Sequence, residues 1–167
     1  MYKPFIILDV TNDTSSINTV KQLFLEYAQS LHFNLCFQNF QKELDELPGL
    51  YSPPRGVLCV AFVDGEPAGC IALKPLEDQI CEMKRLYVRP QFRGFGIGKA
   101  LALHIISRAR ELAYQKMRLD TISTMKEAIS LYRSFGFYEI PPYYTNPVEG
   151  ARFMEIQLLE PSEREEG

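Results

Sequence analysis

The sequence predicts an α/β domain: a mixed, mostly antiparallel twisted sheet of about six or seven strands flanked by about four helices. Three observations predict it. Strand-like runs and helical stripes alternate from the middle of the chain onward. Hairpins open and close the series, which excludes a purely parallel sheet. Of 167 residues, 46% are apolar and 23% charged, enough for one buried core and too apolar for wholesale disorder.

Residues 5–10 read as a short strand, and the TNDTSS cluster after them suits a turn or helix cap. Val20, Leu23, Phe24, Tyr27 and Leu31 recur at three and four residues, the apolar stripe of a first helix. A shorter helix is expected over 37–47, then a loop over 47–56 rich in proline and glycine. Strands over 57–63 and 68–73 are joined by Asp64-Gly65-Glu66-Pro67, a hairpin signal. The strand over 80–88 is closed by Pro90. A glycine loop leads into a helix over 98–114, apolar around much of its circumference and so expected to be largely buried. Residues 117–121 form a strand, and 125–137 contain a helix that stops at Gly136, a left-handed cap. Strands over 137–140 and 152–159 finish the sheet across a Pro/Tyr/Asn loop. Residues 1–160 thus form one domain, and 161–167 a polar tail.

The net charge of −3 supplies no basic face for nucleic acid. No apolar run reaches the length of a membrane span, and MYKPFIILDV is too short and strand-like for a signal peptide. Cys36, Cys59, Cys70 and Cys81 form no C-x-x-C pair, and three sit in apolar strands, so buried thiols in a reducing cytoplasm are expected. His32 and His104 lack paired ligand spacing, and no metal is expected.

The segment RPQFRGFGIGKA places Gly94, Gly96 and Gly98 between Arg93 and Lys99, after a strand and before a helix. A helix N-terminus presents unpartnered N–H groups and partial positive charge, and glycines let an anion reach them. A phosphate or pyrophosphate is the expected ligand. The dinucleotide fingerprint fails because Lys99 stands where its third glycine belongs. The nucleotide P-loop fails because Arg93 replaces its first glycine and Ala100 its metal-binding hydroxyl, which also disfavours a nucleotide hydrolase.

Gln91-x-x-Gly94-x-Gly96 resembles the [Q/R]-x-x-G-x-[G/A] acyl-coenzyme A loop of the GNAT N-acetyltransferases, and LYVRPQFRGFGIGKAL is similar to that family's central motif. Downstream, AISLYRSFGF resembles its second signature, a Leu-Tyr helix before a Gly-Phe strand start. The resemblance spans about residues 5–159 and implies a cytoplasmic acetyl-CoA-dependent N-acetyltransferase. It also implies that backbone N–H groups of Arg93, Gly94, Phe95, Gly96, Ile97, Gly98 and Lys99, with Gln91, cradle the pyrophosphate. Leu86, Tyr87 and Val88 would pair with the pantetheine arm like an added strand.

The same resemblance assigns the Val88 N–H to a developing oxyanion and Tyr132 to protonation of the departing thiolate. Glu82, six residues before Val88, corresponds to the glutamate base of histone-acetylating members. It would act directly or through water. Strand alternation places Glu82, Lys84, Leu86 and Val88 on one face and Met83, Arg85 and Tyr87 on the other. Where many members have a cofactor-contacting asparagine, three before Ala128, this chain has Met125, so that contact is either lost or supplied by a neighbour such as Thr124.

By the resemblance, the acceptor cleft is lined by Phe33, Phe37, Lys84, Arg85, Tyr143 and Tyr144, with Phe40 and Tyr51 nearby. Lys84, Arg85 and Arg152 would receive a carboxylate, which points to a small amino-acid-like or peptide-terminal amine rather than a polyamine. A non-catalytic acyl-CoA-binding sensor is the alternative. A monomer or homodimer is expected, without nucleic-acid or membrane partners.

Overall fold

A computed structural model describes residues 4–11, 13–31 and 39–159. They form seven strands: β1 (Ile6–Asp9), β2 (Val57–Val63), β3 (Glu66–Glu77), β4 (Ile80–Val88), β5 (Lys116–Ile122), β6 (Tyr138–Ile140) and β7 (Ala151–Gln157). The helices are α1 (Thr14–Ser30), α2 (Phe40–Glu46), α3 (Ile97–Glu111) and α4 (Lys126–Phe135). The sheet order is β1-β2-β3-β4-β5-β7-β6, and β4 with β5 is its parallel pair. The mixed sheet and four helices are those the sequence predicts.

Each face of the sheet carries its own apolar layer. Val20, Leu23, Phe24 and Leu44 of α1 and α2 pack on Leu58, Val60, Cys70 and Ala72. On the other face Leu101, Ile105 and Ile129 of α3 and α4 pack on Ile71, Met83, Met117 and Met154. Burying each Val, Leu, Ile, Phe or Met among them contributes about 1.5–3 kcal/mol, so the two layers clamp the sheet. Asp13 of the TNDTSS cluster caps α1, its carboxylate accepting from Ser15 N at 3.1 Å. Gly136 ends α4 in the left-handed region at φ 109°.

Two elements differ most from expectation. The helix over 98–114 stops at Glu111 because Ala113 turns left-handed, which swings Tyr114 into the core. There Tyr114 Oη donates to Arg55 O at 2.8 Å. The strand expected over 68–73 continues to Glu77, since Lys74 pairs in register with Glu82 although Lys74-Pro75 reads as a break. Cys59, Cys70 and Cys81 are buried free thiols, as expected, while Cys36 and the tail lie outside the described residues.

Asp9, Cys59 and His104, distant in sequence, meet where β1 and β2 face α3. The Cys59 thiol donates to Asp9 Oδ1 at 3.1 Å, His104 Nε2 lies 3.2 Å from that oxygen, and Arg108 Nε donates to Oδ2 at 3.1 Å. Burial pushes the Asp9 pKa up, but these partners outweigh it and hold it below the ordinary carboxylate range. The stability this adds is present above the unfolded pKa and lost as pH falls through the folded one.

The consequential departure lies in β4. Cys70 pairs with Tyr87 and Ala72 with Lys84, so Arg85 and Leu86 together oppose the single Ile71. This is a β-bulge, with Arg85 left-handed at φ 61°. It inverts the expected alternation. Arg85 and Tyr87 join Glu82 and Lys84 on the α1/α2 face, while Leu86 and Val88 pack on the α3 layer. The Cys70 thiol donates to the Arg85 carbonyl at 3.3 Å. Arg85 donates from Nε and Nη2 to Glu43 of α2 at 3.0 and 2.9 Å, and its guanidinium lies 5.2 Å from the Phe40 ring centre.

The Arg85 side chain is 3% exposed, so removal of Glu43 leaves a buried cation without its bidentate partner. Glu43→Ala is expected to destabilise the fold by about 3–5 kcal/mol in chemical denaturation. A loss under about 1 kcal/mol would show that the pair behaves like an exposed one.

Candidate active site

The parallel strands β4 and β5 are paired from Ile80–Lys116 to Glu82–Arg118 and then diverge. The gap opens into a cleft of 840 Å³ between β4, β5, the glycine loop and α4. Arg89 N donates to Ala68 O at 2.8 Å, so the preceding Gly69–Val88 pair is of the non-hydrogen-bonded kind. The Val88 N–H therefore turns away from β3, toward the gap. The expected free donor at Val88 has a structural cause, the parting of β4 from β5.

The loop above follows from its glycines. Gly94 and Gly96 hold φ of 88° and 82°, and a Cβ on either would meet nothing within 4 Å. α3 begins at Ile97 without a side-chain cap, and its first bond back is Ala100 N to Gly96 O. The N–H groups of Ile97, Gly98 and Lys99 thus lack intrahelical partners beside open space, a cradle that fits the phosphates of an acyl-CoA. Arg93 lines the cleft and reaches back, Nε donating to Val88 O at 2.9 Å. Of the sequence-predicted cofactor residues, Leu86, Tyr87, Val88, Arg93, Gly94, Gly96, Ile97, Gly98, Thr124 and Tyr132 line the cleft. Gln91 and Lys99 are exposed beside it, and Phe95 packs against the core.

Tyr132 lies on the α4 wall, 8% exposed, its ring edge-on to Phe137 at 5.7 Å. Burial pushes its pKa up, so the phenol holds its proton. Met125 also lines the cleft, and Thr121 Oγ1 donates to its sulfur at 3.6 Å.

A second cavity of 260 Å³ adjoins the first, with Lys84 and Arg85 lining both. Its walls include Glu43, Lys74, Leu76, Glu82, Tyr143 and Tyr144. Glu82 is 2% exposed, and both its oxygens have partners: Tyr143 Oη donates to Oε2 at 2.6 Å, and Lys74 and Lys84 approach Oε1 at 3.4 and 3.9 Å. Lys84 lies 3.4 Å from Asp120 Oδ1 as well. Tyr144 Oη and Asn146 Nδ2 donate to Asp120 Oδ2. Burial, then the charges of Glu82 and Asp120, push the Tyr143 and Tyr144 pKa values up. Both rings stack edge-on with Phe153, which fixes the loop over 141–150 against the sheet.

The acceptor expectations divide accordingly. Tyr143, Tyr144, Lys84 and Arg85 converge on this cavity, whereas Phe33 and Phe37 lie outside the described residues. Arg152 lines neither space and pairs with Glu139 at 3.4 Å. Lys84 and Arg85, expected to receive a carboxylate, already pair with Glu82, Asp120 and Glu43. Lys74 and Asp120 escaped the sequence reading. The strand continuation through Lys74 would mark the first, and the alternation of Arg118 and Asp120 with apolar Met117 and Leu119 gives only the face of the second.

The GNAT acetyltransferase family model matches residues 18–137. An uncharacterized N-acetyltransferase of Schizosaccharomyces pombe is 38% identical over 95% of this chain and 99% of the relative. An acetyltransferase from Streptococcus agalactiae shares the fold at a TM-score of 0.76 and 20% identity, covering 93% of this chain and 99% of that one. A Salmonella typhimurium protein solved with its cofactor acetyl-CoA does so at 0.67 and 18%, covering 95% and 96%. The chain belongs to the GNAT acetyltransferase family and is an acyltransferase. Among the described residues no helix is long and apolar enough to cross a membrane.

Gly96→Glu strains a left-handed position and puts an anion in the phosphate cradle. It is expected to abolish acetyl-CoA binding in calorimetry; undiminished binding would move the cofactor elsewhere.

Proposed function

We propose that the protein is an acetyl-CoA-dependent N-acetyltransferase that moves the acetyl group directly to the amine of a small amino-acid-like or peptide acceptor in the cytoplasm. One observation carries this reading: the glycine cradle, the outward Val88 N–H and the Tyr132 phenol share one cleft, and a small polar cavity opens beside it. Acetyl-CoA, when bound, supplies a thioester whose C–S bond breaks as the amide C–N bond forms.

The chain's residues then divide the proton and charge work. Val88 N–H donates to the carbonyl oxygen as negative charge grows on it. Glu82, on the acceptor side, takes the ammonium proton directly or through water, because only the free amine has a lone pair. Tyr132 gives its proton to the departing sulfur and is restored by the second proton released from nitrogen. Burial pushes the Cys59, Cys70 and Cys81 pKa values up, which keeps them as thiols and favours direct transfer over a cysteinyl intermediate. Buried free thiols also suit a reducing compartment.

The cavity of 260 Å³ is smaller than the about 300–1,000 Å³ of drug-sized sites, which favours a small acceptor. A sensor would bind the cofactor without amine-dependent thiol release.

Glu82→Gln is expected to lower kcat about 10²–10⁴-fold in a thiol-release assay. Tyr132→Phe should lower kcat more than it weakens acetyl-CoA; equal rates would reduce Tyr132 to packing. Because the Tyr132 pKa is raised, its deprotonation causes no loss of rate below about pH 10. A descending limb near pH 8 that disappears in Tyr132→Phe would contradict the raised pKa.

A further inference from the structure

A row of alternating charges runs from the small cavity into the cofactor cleft. Lys74 Nζ lies 3.4 Å from Glu82 Oε1, Lys84 Nζ 3.9 Å from the same oxygen, and Lys84 Nζ 3.4 Å from Asp120 Oδ1. Lys74 and Glu82 line only the small cavity, Asp120 only the cleft, and Lys84 both. The row is therefore polar in direction: its cationic end is farthest from the thioester site and its anionic end faces it.

The three cavity cations are not equivalent. Arg85 is 3% exposed and holds Glu43 through two hydrogen bonds, and Lys84 is 8% exposed between two carboxylates. Lys74 is 24% exposed and pairs with a carboxylate that is itself shared. Its ammonium is the cavity cation best placed to receive a further anion.

We propose that the acceptor is a small zwitterion, an amine that also carries a carboxylate, and that Lys74 selects it by binding that carboxylate. This rests on the acetyltransferase reading above and narrows its acceptor. A zwitterion laid against the row has one favourable sense. Its carboxylate meets Lys74 and its ammonium lies toward Glu82 and Asp120, where the amine faces the cofactor cleft. The reverse sense sets ammonium against ammonium and points the amine away from the thioester. Leu76 and the rings of Tyr143 and Tyr144 leave an apolar wall for a modest side chain. A peptide N-terminus, whose carboxyl is an amide, offers Lys74 no charge at that distance.

The test measures kcat/KM by thiol release for a series of free amino acids, the matching amino-acid amides and decarboxylated amines, and a short peptide. Wild-type protein is expected to favour an amino acid over its own amide about 10–100-fold, the range for a charged hydrogen bond. Lys74→Met should collapse that ratio toward one, and Lys74→Arg should retain it. The ratio separates recognition from catalysis, since a disturbance of Glu82 alone slows both acceptors alike. Equal rates for acid and amide, a preference for the peptide, or a ratio that survives in Lys74→Met would overturn the inference and leave the acetyltransferase standing. Silence with every amine, with acetyl-CoA still bound, would overturn the acetyltransferase reading itself.

Discussion

Arg85 enters the left-handed region inside a strand, a conformation costing a non-glycine residue about 1–2 kcal/mol. Two charge-assisted hydrogen bonds to Glu43, the Phe40 ring and the Cys70 thiol on its carbonyl hold it there. The bulge so fixed is what aligns the rest of the site. Before it, Glu82 and Lys84 face the smaller cavity. After it, Leu86 and Val88 face the α3 layer, Tyr87 and Arg89 reach Glu26 of α1, and the Val88 N–H turns toward the gap. Without the extra residue, Val88 would share a face with Glu82.

The divergence of β5 from β4 makes the two spaces one site. Three residue pairs join the strands, and beyond them the backbone edge of β4 has no neighbour in the sheet. Under the proposed function a pantetheine arm takes the place of the missing strand, which would account for an open sheet edge in the interior of the fold. The glycine cradle closes the top of that gap, and Lys84 and Arg85 stand at its border with the smaller cavity.

Much of this was legible in the residues. An anion nest constrains sequence locally, so strand, glycines and helix announce themselves in one short segment, and the Leu-Tyr helix before Gly136 does the same. The bulge was not legible, because its left-handed residue is an arginine rather than a glycine and its cause is a glutamate 42 residues away. Lys74 was missed because Lys-Pro reads as the end of a strand, although the ladder continues across a register shift at Pro75. Asp120 reads as any strand aspartate in sequence, and only the fold brings Tyr144, Asn146 and Lys84 onto it. Such long-range pairings leave no periodic trace in sequence.

The most direct measurement is amide hydrogen exchange at Leu86 and Val88 with and without acetyl-CoA. If the cofactor arm completes the parted sheet and the Val88 N–H faces it, exchange at Val88 slows on binding, together with the first-turn amides of α3. Slowing at the α3 amides with Val88 unchanged would mean that the arm does not run along β4, and would contradict the account at its centre.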